Sequence, residues 1–302
     1  MPLKTLLIGF GPLGENLAKH LEFDKRFSLK AIIDNDPSKS GLDFAGLKIS
    51  QDLQSLLETE SFDLAFIVTS SFYEQIEDLI FLLAQHKVNI VSSCEQLIFP
   101  EPKVQDKLNQ LAKKHSVFIL GTGINPGFLM DYFLTVLSMP FVNIRELDFF
   151  RSINTDFRRD SFKAKVGVGL SLPEFNEQKE KNKIGHVGFE QSADLLLQYF
   201  AWQKKHSQET IEPVLVNSRV QGIKQSFSLH CEADKKINFN FLAYKANEDF
   251  DSIKIFFTEQ QEPLEIKINN GINGENATVA MLMNTAVKLS SREAGFKTML
   301  DL

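Results

Sequence analysis

The feature that most constrains the fold is a glycine pattern directly behind a short apolar segment. Residues 3–8 have the composition of a buried strand, and three glycines follow in the spacing G-x-G-x-x-G before a helix-forming run. In this spacing the first glycine permits a tight turn, the second lets a pyrophosphate approach the backbone, and the third lets the helix pack closely on the strand. The pattern therefore predicts a strand–turn–helix unit that binds a dinucleotide. We assign to this turn Gly9, Phe10, Gly11, Pro12, Leu13 and Gly14.

An acid at the end of the second strand bears on which dinucleotide fits. Residues 29–33 form an apolar run, and Asp34 follows it 20 positions (34 − 14) after Gly14, close to the spacing of a ribose-binding carboxylate. Such a carboxylate accepts both ribose hydroxyls of NAD and repels the 2′-phosphate of NADP. We therefore predict NAD, and Lys39 close behind leaves NADP as an alternative. The competing interpretation is a structural glycine turn without a nucleotide.

Strands and helices continue to alternate after Asp34. Strand-like runs at 64–69, 89–93 and 118–120 are separated by helical runs, which predicts a right-handed parallel sheet and a Rossmann domain over residues 1–143. Ligands of such sheets lie beyond the carboxyl ends of the strands. This rule adds to the predicted cofactor-binding residues Thr69, Ser70, Ser71, Gly121, Thr122, Gly123 and Asn125.

The pattern changes after residue 144. Two helical stretches, at 173–181 and 189–202, are followed by closely spaced strand-like runs from 227 to 268. This pattern predicts an α+β domain with a largely antiparallel sheet over residues 144–275. We expect this domain to bind the substrate and to form a dimer contact. A last helix begins at residue 276, and we expect the segment 276–302 to return to the Rossmann domain.

Composition excludes several classes of function. The net charge is −6 and basic residues form no stripe, which argues against a nucleic-acid partner. The two cysteines, Cys94 and Cys231, show neither metal-ligand spacing nor a disulfide framework, so we predict no metal site and a reducing, cytoplasmic location. We expect no membrane association, because no apolar run is long enough to cross a bilayer.

A second glycine-rich segment carries a resemblance to a known family. Residues 121–131 read Gly-Thr-Gly-Ile-Asn-Pro-Gly-Phe-Leu-Met-Asp, which resembles the signature of 2,4-diaminopentanoate dehydrogenases and native amine dehydrogenases, in the dihydrodipicolinate reductase-like group. The resemblance extends through 94–96, 165–169, 185–188, 271–278 and 295–302. The His-His pair and the Asp-x-Pro-Ser-Gly-Thr run of authentic dihydrodipicolinate reductases are missing. Gln96 stands where the diaminopentanoate enzymes tend to have a second acid.

The resemblance implies reversible oxidative deamination, in which an amine, NAD(P)⁺ and water give a ketone, ammonia and NAD(P)H. The family's essential glutamate matches Glu95, our candidate for the base that takes the ammonium proton. We predict that Asn125, His186 and Phe149 contact the substrate. The resemblance and an exposed sheet edge also favour a homodimer. Two alternatives remain open, an imine reductase of the dihydrodipicolinate reductase type and a non-catalytic nucleotide-sensing protein.

Overall fold

In the computed structural model, which describes residues 1–302, the chain crosses twice between two units. Unit 1 comprises Met1–Leu129 and Asn273–Leu302, and unit 2 comprises Met130–Ile272. The sequence-based boundaries at 143/144 and 275/276 differ from these crossings. The difference at the first crossing arises because the helix Tyr132–Ser138 contacts the helix Phe189–Phe200 of unit 2.

Unit 1 is built on an eight-stranded sheet. Its strands are β1 (Leu3–Ile8), β2 (Phe27–Ile33), β3 (Asp43–Phe44), β4 (Leu47–Ser50), β5 (Leu64–Ile67), β6 (Asn89–Ser92), β7 (Phe118–Gly121) and β14 (Gly295–Lys297). They lie in the order β14-β7-β6-β5-β1-β2-β4-β3, and every pair is parallel except β3 with β4. The direction of winding reverses between β1 and β5, so the ligand crevice is expected at their carboxyl ends.

The helices of unit 1 begin and end at recognisable sequence signals. They are α1 (Pro12–Phe23), α2 (Leu53–Thr59), α3 (Glu77–Gln85), α4 (Pro102–His115) and α9 (Gly274–Leu289). The Asp52 carboxylate caps α2 by accepting from the Ser55 N–H at 3.0 Å, and α4 starts on Pro102, a residue whose missing N–H is not needed there. The predicted helical run between the strand-like runs 64–69 and 89–93 is divided into a 3₁₀ turn, Tyr73–Gln75, and α3.

The end of the chain completes unit 1. Helix α9 packs on α1, with the Asn16 Nδ2 donating to Asn276 Oδ1 at 3.0 Å. Strand β14 then pairs in parallel with β7 at the edge of the sheet. The fully buried Met299 lies beyond it, and its sulfur accepts from the Thr122 hydroxyl at 3.2 Å.

Unit 2 is built on a six-stranded sheet in the order β13-β12-β8-β11-β10-β9. Its strands are β8 (Ile144–Asn154), β9 (Lys204–Val216), β10 (Arg219–Cys231), β11 (Lys236–Tyr244), β12 (Phe250–Phe257) and β13 (Leu264–Asn269). The pair β8–β11 is parallel and the other pairs are antiparallel. The helices are α5 (Tyr132–Ser138), α6 (Asp160–Lys165), α7 (Leu172–Glu180) and α8 (Phe189–Phe200). The predicted fold class, a Rossmann domain with a parallel sheet and an α+β domain with a largely antiparallel sheet, is confirmed.

The two faces of the second sheet differ in chemistry. On the inner face, Phe227 and Phe239 are buried and contact Phe189 of α8 with ring centroids 6.1 and 5.7 Å apart. The outer face carries polar and charged side chains and the stacked rings of Phe150 and Phe250. On this face Asn240 accepts from the Ser226 hydroxyl across the strands at 2.8 Å. The strict alternation of buried and half-buried residues along β11 produces this division. No helix in either unit has the length and the apolar character needed to span a membrane.

Candidate active site

Packing explains two of the three glycines in the turn after β1. Gly9 has φ +99°, and a Cβ placed on it would lie 2.8 Å from the Val68 carbonyl oxygen behind β5. A Cβ on Gly14 would lie only 2.0 Å from the Gly9 carbonyl oxygen. The turn, the first turn of α1 with Pro12 and Leu13, and the end of β5 are therefore in close contact at the point where the winding reverses.

Gly11 has no such packing reason. Its φ of −78° suits any residue, and a Cβ placed there would meet no atom within 4 Å. Gly11 is also the residue that precedes α1, whose first N–H groups and positive dipole end favour an anion. The bare backbone at Gly11 thus fits a bound pyrophosphate, while the chain's own packing does not require a glycine there.

Asp34 lies directly after β2 and is held from several sides. Its Oδ2 accepts from the Phe10 N–H at 2.6 Å and from Lys39 Nζ at 3.0 Å, and its Oδ1 accepts from the Asp36 N–H at 2.8 Å. Burial alone would raise the pKa of Asp34, but the Asp36 and Phe10 N–H groups and the Lys39 ammonium hold that pKa below its usual value. Asp34 is therefore an anion positioned beside the glycine turn.

The residues after β5 form a compact loop. The exposed Thr69 has its methyl group 2.9 Å from the position of a Cβ on Gly9. The Ser70 hydroxyl donates to Gln75 Oε1 at 2.6 Å and accepts from the Phe72 N–H at 3.0 Å. Ser71 offers its carbonyl oxygen to the Gln96 N–H at 3.2 Å. The loop thus links the glycine turn to the segment that follows β6.

Glu95 opens the 3₁₀ turn Glu95–Leu97 at the carboxyl end of β6. A hydrogen bond to β6 holds the residue before this turn, because the Ser92 hydroxyl accepts from the Cys94 N–H at 3.1 Å. Burial raises the pKa of the Cys94 thiol to about 12, so this cysteine is an inert packing residue. Glu95 itself is half-buried and lies at the edge of the sheet where the carboxyl ends of the parallel strands meet.

The second glycine segment follows β7 and supports the Glu95 turn. A Cβ on Gly121 would lie 2.5 Å from the Leu97 carbonyl carbon, so the glycine at this position is explained by the close approach of β7 to that turn. Gly123 and Gly127 lie against each other, and the Asn125–Pro126 peptide bond is cis. The half-buried Asn125 stands at the tip of this loop.

Thr122 departs from its predicted role in cofactor binding. It is fully buried, its N–H donates to the Ser92 carbonyl at 2.8 Å, and its hydroxyl donates to Met299. The side chain therefore lies in the core of unit 1. The sequence gives no sign of this, because the partner that draws Thr122 inward is 177 residues away.

His186 is half-buried in unit 2. Its ring stacks on Phe241 with a centroid distance of 5.7 Å and lies 5.0 Å from the ring of Phe189. Its Nε2 is buried without a hydrogen-bond partner. Burial, with smaller contributions from the cationic Lys165 and Arg151, lowers the pKa of His186 to about 3. The imidazole is therefore neutral at physiological pH.

Gln225 holds the backbone of His186. Its Oε1 accepts from the His186 N–H at 2.6 Å, and its Nε2 donates to the His186 carbonyl at 2.9 Å. Gln225 is fully buried on the inner face of β10. Sequence reasoning missed this residue, because a glutamine within an alternating strand gives no sign of a partner 39 residues earlier.

Phe149 is also placed differently from the prediction. It is 2% exposed and lies between Phe239 and Ile253 on the inner face of the sheet, so its side chain is part of the core of unit 2. Its neighbour Arg151 is buried as well, with its Nε 3.4 Å from Asp251 Oδ1. Arg151 also donates to the Ile272 carbonyl, next to the second crossing between the units.

Two segments of the chain match family models. Residues 128–227 match the 2,4-diaminopentanoate dehydrogenase C-terminal domain, and residues 2–121 match the CoA binding domain. The chain is 22% identical over 284 residues to the 2,4-diaminopentanoate dehydrogenase of Acetoanaerobium sticklandii, covering 83% of this chain and 76% of that protein.

Solved structures share the fold over the whole chain. The amine dehydrogenase from Mycobacterium smegmatis matches with a TM-score of 0.85 at 18% identity, covering 99% of this chain and 95% of that one. The dihydrodipicolinate reductase from Paenisporosarcina sp. TG-14 matches with a TM-score of 0.55 at 13% identity, covering 99% and 98%. These likenesses establish the fold. Together with the family model and the curated relative, they show that the chain is similar to 2,4-diaminopentanoate dehydrogenases and amine dehydrogenases.

Proposed function

We propose that the chain is an NAD-dependent dehydrogenase that catalyses reversible oxidative deamination. In this reaction a protonated amine, NAD⁺ and water give a ketone, ammonium, NADH and one proton. The observation that carries the proposal is the placement of Glu95 at the same edge of the sheet as the Gly9–Gly14 turn and Asp34. Strands in a sheet lie about 4.8 Å apart, and β5 separates β1 from β6, so the ends of β1 and β6 are ~10 Å apart.

Glu95 is proposed as the base. When bound, the cofactor accepts the hydride from the carbon that carries the amine. An ammonium group must lose its proton before the nitrogen can form a double bond to that carbon, and a carboxylate at the Glu95 position is suited to take it. In the reverse direction the same group takes the proton from ammonium and so releases ammonia as the nucleophile. The 3₁₀ turn holds Glu95 on the rigid end of β6, which favours a reproducible position.

The substrate is proposed to be a small amine, or the ketone and ammonia in reverse. We retain His186 and Asn125 as substrate-binding candidates and drop Phe149, which lies in the core of unit 2. A neutral imidazole with an unpaired buried nitrogen is suited to one hydrogen bond with a polar group of the substrate.

The proposed cofactor is NAD. Asp34 is an anion beside the glycine turn, in the position to accept the two ribose hydroxyls and to repel a 2′-phosphate. Lys39, 3.0 Å from Asp34, supplies a cation in the same place and keeps NADP as the alternative. Gly9–Gly14 and the loop Thr69–Ser71 are proposed to complete the cofactor site.

Reduction of a cyclic imine dicarboxylate is the less favoured reaction. Such a substrate needs cationic groups that are available to its carboxylates. Two arginines in and after β8 are engaged within unit 2. Arg151 lies beside Asp251, and Arg158 donates to Asp249 at 3.0 Å. This engagement favours an amine substrate over the imine dicarboxylate.

We further propose that the enzyme is a cytoplasmic homodimer. Both cysteines are buried free thiols, which suits a reducing compartment.

The outer face of the second sheet is proposed as the surface that contacts a second copy. Equal numbers of opposite charges lie on it, so two copies of this face can pair across a two-fold axis. The register places on this face Glu146, Asp148, Glu212, Glu265, Lys224, Lys236, Lys254 and Lys267. An arginine at Asn240, in the middle of the face, should yield monomers in light scattering with the secondary structure retained; an unchanged dimer would place the contact elsewhere.

Two assays on the wild-type protein, one in each direction, test the reaction. NADH oxidation is followed with ammonia and a panel of small ketones, and NAD⁺ reduction is followed with 2,4-diaminopentanoate and simple amines. Ammonia-dependent turnover is the expected result. NADH binding without turnover on the whole panel would contradict the proposal and favour nucleotide sensing, and ammonia-independent reduction of cyclic imines would favour imine reduction.

A further inference from the structure

Gln96, the residue next to the proposed base, makes two contacts with a single segment of chain. Its N–H donates to the Ser71 carbonyl at 3.2 Å, and its side-chain Oε1 accepts from the Tyr73 N–H at 2.9 Å. The segment Ser71–Tyr73 follows β5, whereas Gln96 follows β6. One residue therefore ties together the turns at the ends of two adjacent strands.

The segment that Gln96 holds continues directly from the proposed cofactor loop. Thr69 lies against Gly9, and the Ser70 hydroxyl is bonded within the loop to the Phe72 N–H and to Gln75. Contacts therefore run without a break from the glycine turn, through Thr69 and Ser70, to Tyr73 and Gln96. Glu95 is the next residue in this series.

The far end of the segment is anchored separately. The Tyr73 ring is buried, and its hydroxyl donates to Glu77 Oε1 at 2.6 Å, which also accepts from Lys107 Nζ at 2.9 Å. These bonds fix the tyrosine side chain on α3 and α4 but do not reach the Glu95 turn. The two hydrogen bonds of Gln96 join that turn to the Ser71–Tyr73 segment.

The side-chain bond requires an acceptor oxygen at position 96 and no donor. Both glutamine and glutamate provide such an oxygen, whereas an apolar residue of equal length leaves the N–H of the buried Tyr73 without this partner. Because the Oε1 of Gln96 is bonded to the backbone of Tyr73, this oxygen is already engaged within unit 1.

We propose that Gln96 is a positioning residue that fixes Glu95 relative to the Thr69–Ser71 cofactor loop. The inference rests on the proposed function. It also deepens that function, because the presence of glutamine or of an acid at position 96 then does not select for a second amino group on the substrate. Substrate preference between diamines and monoamines is set by other residues.

The test compares Gln96→Met, Gln96→Glu and the matched control Gln105→Met. Gln105 also bonds the backbone through its side chain, donating to the Pro100 carbonyl at 2.7 Å, but it lies on α4. Three quantities are measured on the full-length protein: the Kd for NADH by fluorescence, hydrogen exchange of the Tyr73 amide, and kcat and KM with ammonia and the best ketone. The first two do not require amine turnover, so the inference is tested even if the proposed reaction is wrong.

The expected pattern separates positioning from general stability. Gln96→Met should raise the Kd for NADH roughly three- to tenfold, speed exchange of the Tyr73 amide and lower kcat roughly tenfold. Gln96→Glu should restore the NADH affinity and the amide protection, since its carboxylate accepts from the same N–H. Gln105→Met should leave all three at wild-type values.

Two results would overturn the inference. One is wild-type NADH affinity and Tyr73 protection in Gln96→Met, and the other is equal losses in Gln96→Met and Gln105→Met. If Gln96→Met proves too unstable to purify, Gln96→Ser supplies a second variant whose side chain is too short to reach the Tyr73 N–H. A diamine preference that appears only in Gln96→Glu would also contradict the inference, because position 96 would then contact the substrate.

Discussion

Lys39 Nζ lies 3.0 Å from Asp34 Oδ2, on the carboxylate assigned to the adenosine ribose. The ammonium therefore competes with the ribose hydroxyls for that oxygen and also offers a cation to a 2′-phosphate. In Lys39→Met we expect NADH to bind roughly two- to fivefold tighter, as suits the modest strength of a partly exposed ion pair, and NADPH to bind roughly tenfold weaker. Fluorescence titrations measure both constants. The matched control is Lys30→Met on β2, and a parallel shift of both cofactors in Lys39→Met would refute this assignment of Lys39.

Replacement of the proposed base should separate chemistry from cofactor binding. Glu95→Gln keeps the shape of the side chain but cannot take a proton, so we expect turnover in both directions to fall by roughly two to four orders of magnitude. The Kd for NADH should remain within about twofold of wild type. The same change at the exposed Glu101, six residues later, is the control. Turnover retained in Glu95→Gln would remove Glu95 from the mechanism.

The glycine turn offers a pair of substitutions with opposite consequences. Gly14→Ala places a methyl group 2.0 Å from the Gly9 carbonyl oxygen and should lower the free energy of unfolding by about 2 kcal/mol or more. Gly11→Ala meets no atom within 4 Å and should leave that free energy within about 0.5 kcal/mol of wild type.

The same pair also tests the cofactor site. Gly11→Ala should weaken NADH binding by roughly tenfold or more, since the methyl group occupies the proposed path of the pyrophosphate. Denaturant titration and NADH fluorescence measure the two effects. If Gly11→Ala binds NADH as tightly as wild type does, the pyrophosphate does not pass Gly11.

Burial of His186 should make stability depend on pH. Its pKa is about 3 in the folded chain against 6.5 for the free side chain, so between these values the unfolded chain binds one more proton. The neutral ring's contribution to stability is therefore present above pH 6.5 and is lost as the pH falls towards 3. Between pH 7 and pH 5 the free energy of unfolding should fall by about 2 kcal/mol more in wild type than in His186→Asn. Denaturant titrations at the two pH values measure this difference, and His20→Asn on α1 is the exposed control. An equal fall in the free energy of unfolding in wild type and His186→Asn would show that the ring is accessible to protons.

Local signals predicted the elements that short-range chemistry determines. Helix α4, Pro102–His115, occupies the predicted helical run between 93 and 118, because the proline marks its first turn and apolar residues recur on one face. Strand β9 was not predicted. Most of its residues are exposed and polar, so its sequence has no alternation, and only pairing with β10 makes it a strand.

The limits of the site prediction have the same origin. Phe149 and Phe150 are adjacent and equally apolar, so periodicity cannot tell which of them faces inward. The pairing of β8 with β11 and β12 decides it by setting Phe149 opposite Phe239 and Ile253. Thr122, Gln225 and Gln96 likewise acquire their roles from partners that are distant in sequence. The placement of Asp34 beside the glycine turn was predictable, because both lie within a single βαβ unit.

The edge strand β14 has a consequence for synthesis of the chain. Unit 1 is discontinuous, and the strand that completes its sheet, β14, follows the whole of unit 2 in the chain. Unit 2 is a continuous insert whose residues all leave the ribosome before α9 does. During translation, the insert therefore has its whole sequence available while the nucleotide-binding unit still lacks a helix and an edge strand. Unit 1 therefore completes its sheet only after the whole of unit 2 has been synthesised, so unit 2 can begin to fold first on the ribosome.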